Sequence, residues 1–276
     1  MQVSVIIPTF NRCRLVVRAI QSVIDQRYPI HEIIVIDDGS TDHSVQAIKN
    51  QFPRVCVIRQ ENQGVSAARN TGISVATGDW VALLDSDDTW HKQKILRQVQ
   101  LIENNPSFIA CHTDEKWIRN GRHFNAMKKH AKPEGSIYEQ CLPLCCVSPS
   151  SVLIKRLALV DEGMFDESLA VCEDYDLWLR LFCKNRILLV PESLVVKYGG
   201  HDDQLSRKHW GMDRFRVTAL EKILESGQLD PDQANLTHSM LDKKLGILVN
   251  GFRKRDNHSQ ADYYQAKLDK WNATAC

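Results

Sequence analysis

The sequence has no CxxC pair, no apolar run of bilayer-crossing length and no excess charge of one sign, and each absence removes a class of function. Its nine cysteines are irregularly spaced and odd in number, and the tightest group, Cys141, Cys145 and Cys146, lacks zinc-site spacing. That pattern points to ordinary thiols of a reducing compartment, not a disulfide framework. A formal net charge of +1 gives no bulk electrostatic reason to expect nucleic acid as a partner. Crossing a bilayer takes roughly 20 apolar residues, so any membrane association would be peripheral. The first residues, VSVII, already read as a core strand and not as a charged leader, which makes cytoplasmic residence the expectation. Also absent are the dinucleotide fingerprint GxGxxG and a phosphate loop ending in Gly-Lys-Ser or Gly-Lys-Thr.

What is present is an alternation of short apolar strands and amphipathic helices over the first hundred residues. Val3 to Ile7 is a β-branched run of the kind buried on both faces of a parallel sheet. Leu15, Val16, Ala19, Ile20, Val23 and Ile24 recur at helical spacing, and Ile33 to Ile36 reads as a second buried strand. Helix near Asp42 to Asn50, strand near Val55 to Ile58, helix near Val65 to Ala76 and strand Trp80 to Leu84 continue the series. The 276 residues suit one large domain or two tightly joined halves, and the alternation predicts an α/β fold with a mainly parallel sheet.

Three of these strands run into polar loops holding Thr9 and Asn11, then Asp37 and Asp38, then Asp85, Asp87 and Asp88. Ligands of open α/β sheets bind outside the carboxyl ends of the strands, so the three loops should line one crevice. Carboxylates one residue apart at a strand end can grip a divalent cation that shares its remaining positions with phosphate oxygens. The same residues would equally serve an Asp-rich turn capping a helix expected from about Lys92.

Five segments, in order, resemble the inverting, nucleotide-sugar-dependent glycosyltransferases of family 2, which have the GT-A fold. They are Ile7–Arg12 (IPTFNR), Asp37–Asp42 (DDGSTD), Asn62–Gly72 (NQGVSAARNTG), Gly78-Asp79 leading to Leu84–Asp88 (LDSDD), and Gly163–Glu167 (GMFDE) followed by Glu173–Arg180 (EDYDLWLR). Together they span about two thirds of the chain. The resemblance implies that Pro8, Thr9 and Asn11 contact the base and ribose of a nucleotide and that Asp38 accepts a hydrogen bond from the base edge. It puts Arg69 and Asn70 near a base carbonyl or a phosphate oxygen. Asp85-Ser86-Asp87 is similar to the family's DXD motif, in which Asp87 would coordinate Mg2+ or Mn2+ and Asp85 would contact the ribose or reach the metal through water. Asp88 is expected either to cap the following helix, the favoured reading, or to support the neighbouring metal ligand.

Glu173-Asp174 resembles the family's ED motif at the start of a helix, which makes Asp174 the expected general base and Glu173 the alternative. A carboxylate opposite the leaving group can take the acceptor's proton as the new bond forms, with inversion. A pair of acids stabilised by the helix dipole, an effect of roughly 0.3–1 kcal/mol, would explain the same residues without catalysis. His201 resembles a C-terminal metal or diphosphate contact of some family members.

The implied activity is metal-dependent transfer of a sugar, from a UDP-sugar in the favoured case, to a hydroxyl of a glycan or lipid-linked glycan, in cell-surface polysaccharide or lipopolysaccharide synthesis at the inner face of the membrane. The alternative is an inactive nucleotide-sugar-binding module on the same fold. Three stretches are expected: a nucleotide-sugar-binding half over residues 1–104, an acceptor-binding half over residues 105–206, and a helical extension over residues 207–276. The extension would cover the acceptor cleft, form a homodimer contact or dock on a membrane-associated assembly, and composition does not decide between these.

Overall fold

The computed structural model describes residues 1–124, 131–200 and 210–274. Its first half follows the hydrophobic pattern closely. Strands β1 (Val3–Thr9), β2 (Glu32–Asp37), β3 (Cys56–Arg59) and β4 (Trp80–Leu83) alternate with helices α1 (Cys13–Ile24), α2 (Ser44–Gln51) and α3 (Val65–Val75). All pairings among these four strands are parallel, in the spatial order β3-β2-β1-β4. The chain builds outward from β1 on one side and then returns to add β4 on the other. That reversal leaves a crevice at the carboxyl ends of β1 and β4, where Thr9 and Asp85 emerge.

The remaining strands extend the same sheet with mixed polarity. They are β5 (Thr89–Trp90), β6 (Ala110–Arg119), β7 (Arg122–Phe124), β8 (Leu153–Lys155) and β9 (Ile187–Gly199). The sheet continues from β4 through β8, β6 and β9 to β5, with β7 paired to β6. β8 is antiparallel to both of its neighbours, whereas β6 and β9 run parallel. The sheet is therefore parallel in its first half and mixed in its second.

Because side chains alternate across a strand, neighbouring residues feed opposite cores. Ile6, Ile34, Ile36 and Leu83 face one side, where they meet α3, α5 (Tyr138–Cys141), α6 (Arg156–Asp161) and α7 (Glu173–Phe182). Val5, Ile7 and Val35 face the other, against α1, α2 and α4 (Lys94–Glu103). Gly72 lets α3 lie close on β1, since a Cβ there would collide with Ile6 Cγ2.

The C-terminal region is helical, as expected, with α8 (Asp213–Glu225), α9 (Pro231–Arg253) and α10 (His258–Thr274). Asp230 and Gln233 form a reciprocal capping box at the start of α9. Beyond a short turn after Arg253 the chain continues in α10, whose Tyr264 stacks on Phe252 of α9. Val217, Leu220, Leu241 and Leu245 of the first two helices join the core that contains α7.

Candidate active site

The crevice begins at a cavity of about 470 Å³ walled by Pro8, Thr9, Asn11, Asp38, Asn62 and Ser86, among others. Several of its polar side chains fasten loops. Asn11, in left-handed backbone geometry (φ 51°), accepts hydrogen bonds from the Thr41 and Asp42 amides at 2.8 and 3.2 Å. Asp38 accepts from the Gln60 side chain and from the Gln63 and Gly64 amides at 2.8 to 3.0 Å, which fixes the turn before α3. Asp37 is fully buried and pairs with Arg59 beneath the loop. The Thr9 hydroxyl is buried and has no hydrogen-bond partner among the described residues, so a polar ligand group could satisfy it.

A second cavity, of about 310 Å³, adjoins the first through Arg12, Val65 and Ser86. It holds the carboxylates that follow β4. Arg69, only 3 % exposed, donates to Asp85 Oδ1 and to Glu173 Oε1, both at 2.7 Å. Burial alone would raise the Asp85 pKa, but Arg69 and Lys197 outweigh it and hold that carboxyl below the usual range. Asp87 pairs with Arg12 at 3.0 Å, and its pKa is raised because burial and the charge of Asp85 exceed the pull of Arg12.

Asp88 is not the helix cap expected from the sequence. The helix begins at Lys94, with Gln93 at the cap position and no side-chain cap. Asp88 is instead buried, at 2 % exposure, accepting from the Ser150 hydroxyl at 2.6 Å and the Tyr198 amide at 3.2 Å. Burial, with Asp87 and Asp85 adding to it against Lys197, pushes its pKa up to about 8.

Among the described residues no group of three or more His, Cys, Asp or Glu side chains is placed to hold a metal ion. Asp85 and Asp87 nevertheless each keep one oxygen outside their arginine pairs. Mg2+ in particular is commonly bound by one or two carboxylates together with a substrate's phosphates. The residues fit that mode, not an all-protein cage. His201 lies outside the described residues.

The second cavity leads into a third, of about 230 Å³, through Asp174 and Lys197. Glu173 and Asp174 open α7, behind Cys172 in left-handed geometry (φ 64°). Their roles in the structure differ. Glu173 is buried against Arg69, and burial together with Asp174 raises its pKa despite that pair. Asp174 borders both cavities and accepts from the Cys145 thiol at 3.2 Å. Glu115, Trp117, Lys132, Ser148 and Arg216 complete the third cavity.

Asn70 borders none of these three cavities. Its side chain binds Phe165 and Glu167, fastening α3 to the loop before α7. Sequence reasoning missed Lys197, which stands on β9 between the acidic clusters. Burial would lower its pKa, but Asp88, Glu115, Asp85 and Asp174 reverse that and keep it charged. A single lysine in a thirteen-residue strand has no spacing partner that would have singled it out.

Comparison with known proteins agrees with this architecture. A model of glycosyl transferase family 2 matches residues 4–148. An uncharacterized glycosyltransferase of Rickettsia felis is 35% identical over 208 residues, 75% of this chain and 32% of that protein. The chain thus spans about a third of the length of the first curated relatives it matches. The Escherichia coli UDP-Glc:alpha-D-GlcNAc-diphosphoundecaprenol beta-1,3-glucosyltransferase WfgD is 30% identical over 188 residues, 67% of this chain and 71% of that protein. Among solved structures, S. aureus TarS 1-349 in complex with UDP-GlcNAc superposes with a TM-score of 0.78 at 20% identity, over 98% of this chain and 81% of that one. The mannosyltransferase PcManGT from Pyrobaculum calidifontis, in complex with GDP-Man and Mn2+, gives 0.63 at 17% identity, over 98% and 84%. The structural likenesses establish a GT-A-like fold, and the family match covers over half of the sequence: the chain belongs to glycosyl transferase family 2.

Proposed function

We propose that the chain transfers a sugar from a nucleotide-diphosphate donor, with a UDP-sugar favoured, to a hydroxyl of a glycan or lipid-linked glycan, with inversion. The observation that carries this reading is the placement of Asp174 on the wall shared by the second and third cavities. The nucleoside would occupy the first cavity, its diphosphate the second, and the acceptor the third. Asp174 faces the junction, where an acceptor hydroxyl would lose its proton to a carboxylate oxygen. Glu173 is held by Arg69 and would position the start of α7 rather than take the proton.

Asp87, with Asp85 beside it, would hold Mg2+ or Mn2+, which when bound neutralises the departing diphosphate. Lys197 supplies fixed positive charge at the same junction. The nucleotide sugars of similar proteins, UDP-GlcNAc with TarS and UDP-Glc for WfgD, support the uridine reading, and the Mn2+ in PcManGT supports the cation. The lipid-linked substrate in the name of WfgD supports an acceptor of that class in cell-surface glycan assembly. Residues 1–104 would form the donor half, 105–206 the acceptor half and 207–276 the helical extension. No helix among the described residues is long and apolar enough to cross a membrane. We infer a cytoplasmic enzyme working at the inner membrane face.

Thermal shift tests the donor reading without an acceptor. A ligand that binds only the native state stabilises it by about 2.7 kcal/mol at a hundred times its Kd. UDP-sugars with Mn2+ should raise Tm by several degrees, more than GDP-, CMP- or dTDP-sugars do. No rise with any of them would overturn the donor assignment. A rise without transfer to any glycan or lipid-linked acceptor would favour the inactive binding module.

A further inference from the structure

From Lys116 to Lys132 the sequence holds six Lys or Arg, namely Lys116, Arg119, Arg122, Lys128, Lys129 and Lys132, and no Asp or Glu, although the whole chain carries only +1. The first nine of these residues form the exposed end of β6 and its hairpin partner β7. The turn is Asn120-Gly121, with φ of 49° and 73°, the left-handed pair that a tight hairpin turn requires. Trp117 pairs with Phe124, and Arg119 lies directly opposite Arg122.

Those four side chains share one face of the ribbon, since alternate residues of a strand point the same way. The two rings stack at 6.4 Å, and Phe124 remains 39 % exposed. Like charges placed opposite each other destabilise a hairpin. Neither Arg119 nor Arg122 has a carboxylate partner among the described residues, so the fold gains nothing evident from the pair. A pair of aromatic rings beside a pair of guanidinium groups on one face matches a bilayer interface, where rings sit at headgroup level and basic residues meet anionic lipid.

We propose that the β6–β7 hairpin docks the protein on an anionic lipid surface through the face bearing Trp117, Phe124, Arg119 and Arg122. Trp117 and Lys132 also border the third cavity, so a docked hairpin brings that cavity to the headgroup layer. The docking itself rests on charge and geometry and does not depend on the donor assignment.

Vesicle co-sedimentation of the full chain tests it. Wild-type protein should pellet with vesicles of phosphatidylcholine and phosphatidylglycerol in equal parts and stay in solution with phosphatidylcholine alone. Binding should weaken as NaCl is raised. R119E/R122E should weaken binding about tenfold or more, with Tm unchanged, and Phe124→Ser should weaken it further in that background. The charge-matched control K243E/K254E, on exposed positions in α9 and just after it, should bind as wild type does. The proposal fails if both vesicle types bind equally, if the control loses as much as R119E/R122E, or if the hairpin variants lose affinity for a single-stranded oligonucleotide and none for vesicles.

Discussion

Glu173 and Asp174 are adjacent in the chain but stand in different surroundings. One carboxylate is enclosed by Arg69, and the other opens onto the crevice beside the Cys145 thiol. If Asp174 is the base, Asp174→Asn should leave the donor-induced rise in Tm intact while lowering transfer by about 10²–10⁴-fold. Asp87→Ala should instead abolish the Mn2+-dependent part of that rise. Near-normal turnover in the first variant, or an undiminished Mn2+ effect in the second, would reverse the respective assignment. The sequence made these positions legible because both lie in short runs of acids at element boundaries. It misplaced Asp88, since the same Asp-rich turn can cap a helix or bury a carboxylate, and only Ser150 and the Tyr198 amide, distant in sequence, decide which. Lys197, Glu115, Lys132 and Arg216 were illegible for the same reason: each acquires a role from partners far along the chain.

At the scale of elements, the first half was read to within about two residues at most boundaries. Short parallel strands buried on both faces leave little room for other patterns, and each is followed by an amphipathic helix. The second half resisted because β6 carries Asp114, Glu115 and Lys116 within one strand, and β9 carries Pro191, with register shifts after Thr113 and Asp114. Neither strand has the apolar alternation that would mark it. Helix α10 has no periodic signal of its own, because Ala261 and Tyr264 are the only buried apolar residues among those described in it. The close packing of α3 on β1 is itself testable. Gly72→Ala should cost about 1–3 kcal/mol of stability, measured by urea denaturation, because Ile6 and Ile36 leave no space for a methyl group. A neutral result would mean that the helix can shift without loss.

For the molecule as a whole, one continuous sheet with apolar cores on both faces makes buried titratable groups report on global stability. His112, fully buried on β6, donates from Nε2 to the Pro133 carbonyl at 2.7 Å as a neutral ring. Burial, aided by Lys132, lowers its pKa to about 3. Between the unfolded value near 6.5 and that folded value, the unfolded chain binds the extra proton. His112 therefore lowers stability as pH falls through this window and has no effect on the slope above it. His112→Gln should flatten the decline in urea midpoint between about pH 6.5 and pH 3. An unchanged slope would show that other groups set the acid limit.

Arg69 lies on α3, Asp85 follows β4, and Glu173 opens α7, so one guanidinium ties together three elements through two carboxylates. Seen as a unit of inheritance, the three positions are not separately free to drift. Loss of the arginine strands two acids, and loss of either acid leaves one arm of a buried guanidinium without its hydrogen-bond partner. Lineages of this protein should therefore replace the trio together or keep it whole, and the segments around Asp85 and Glu173 should diverge in step although nearly ninety residues separate them.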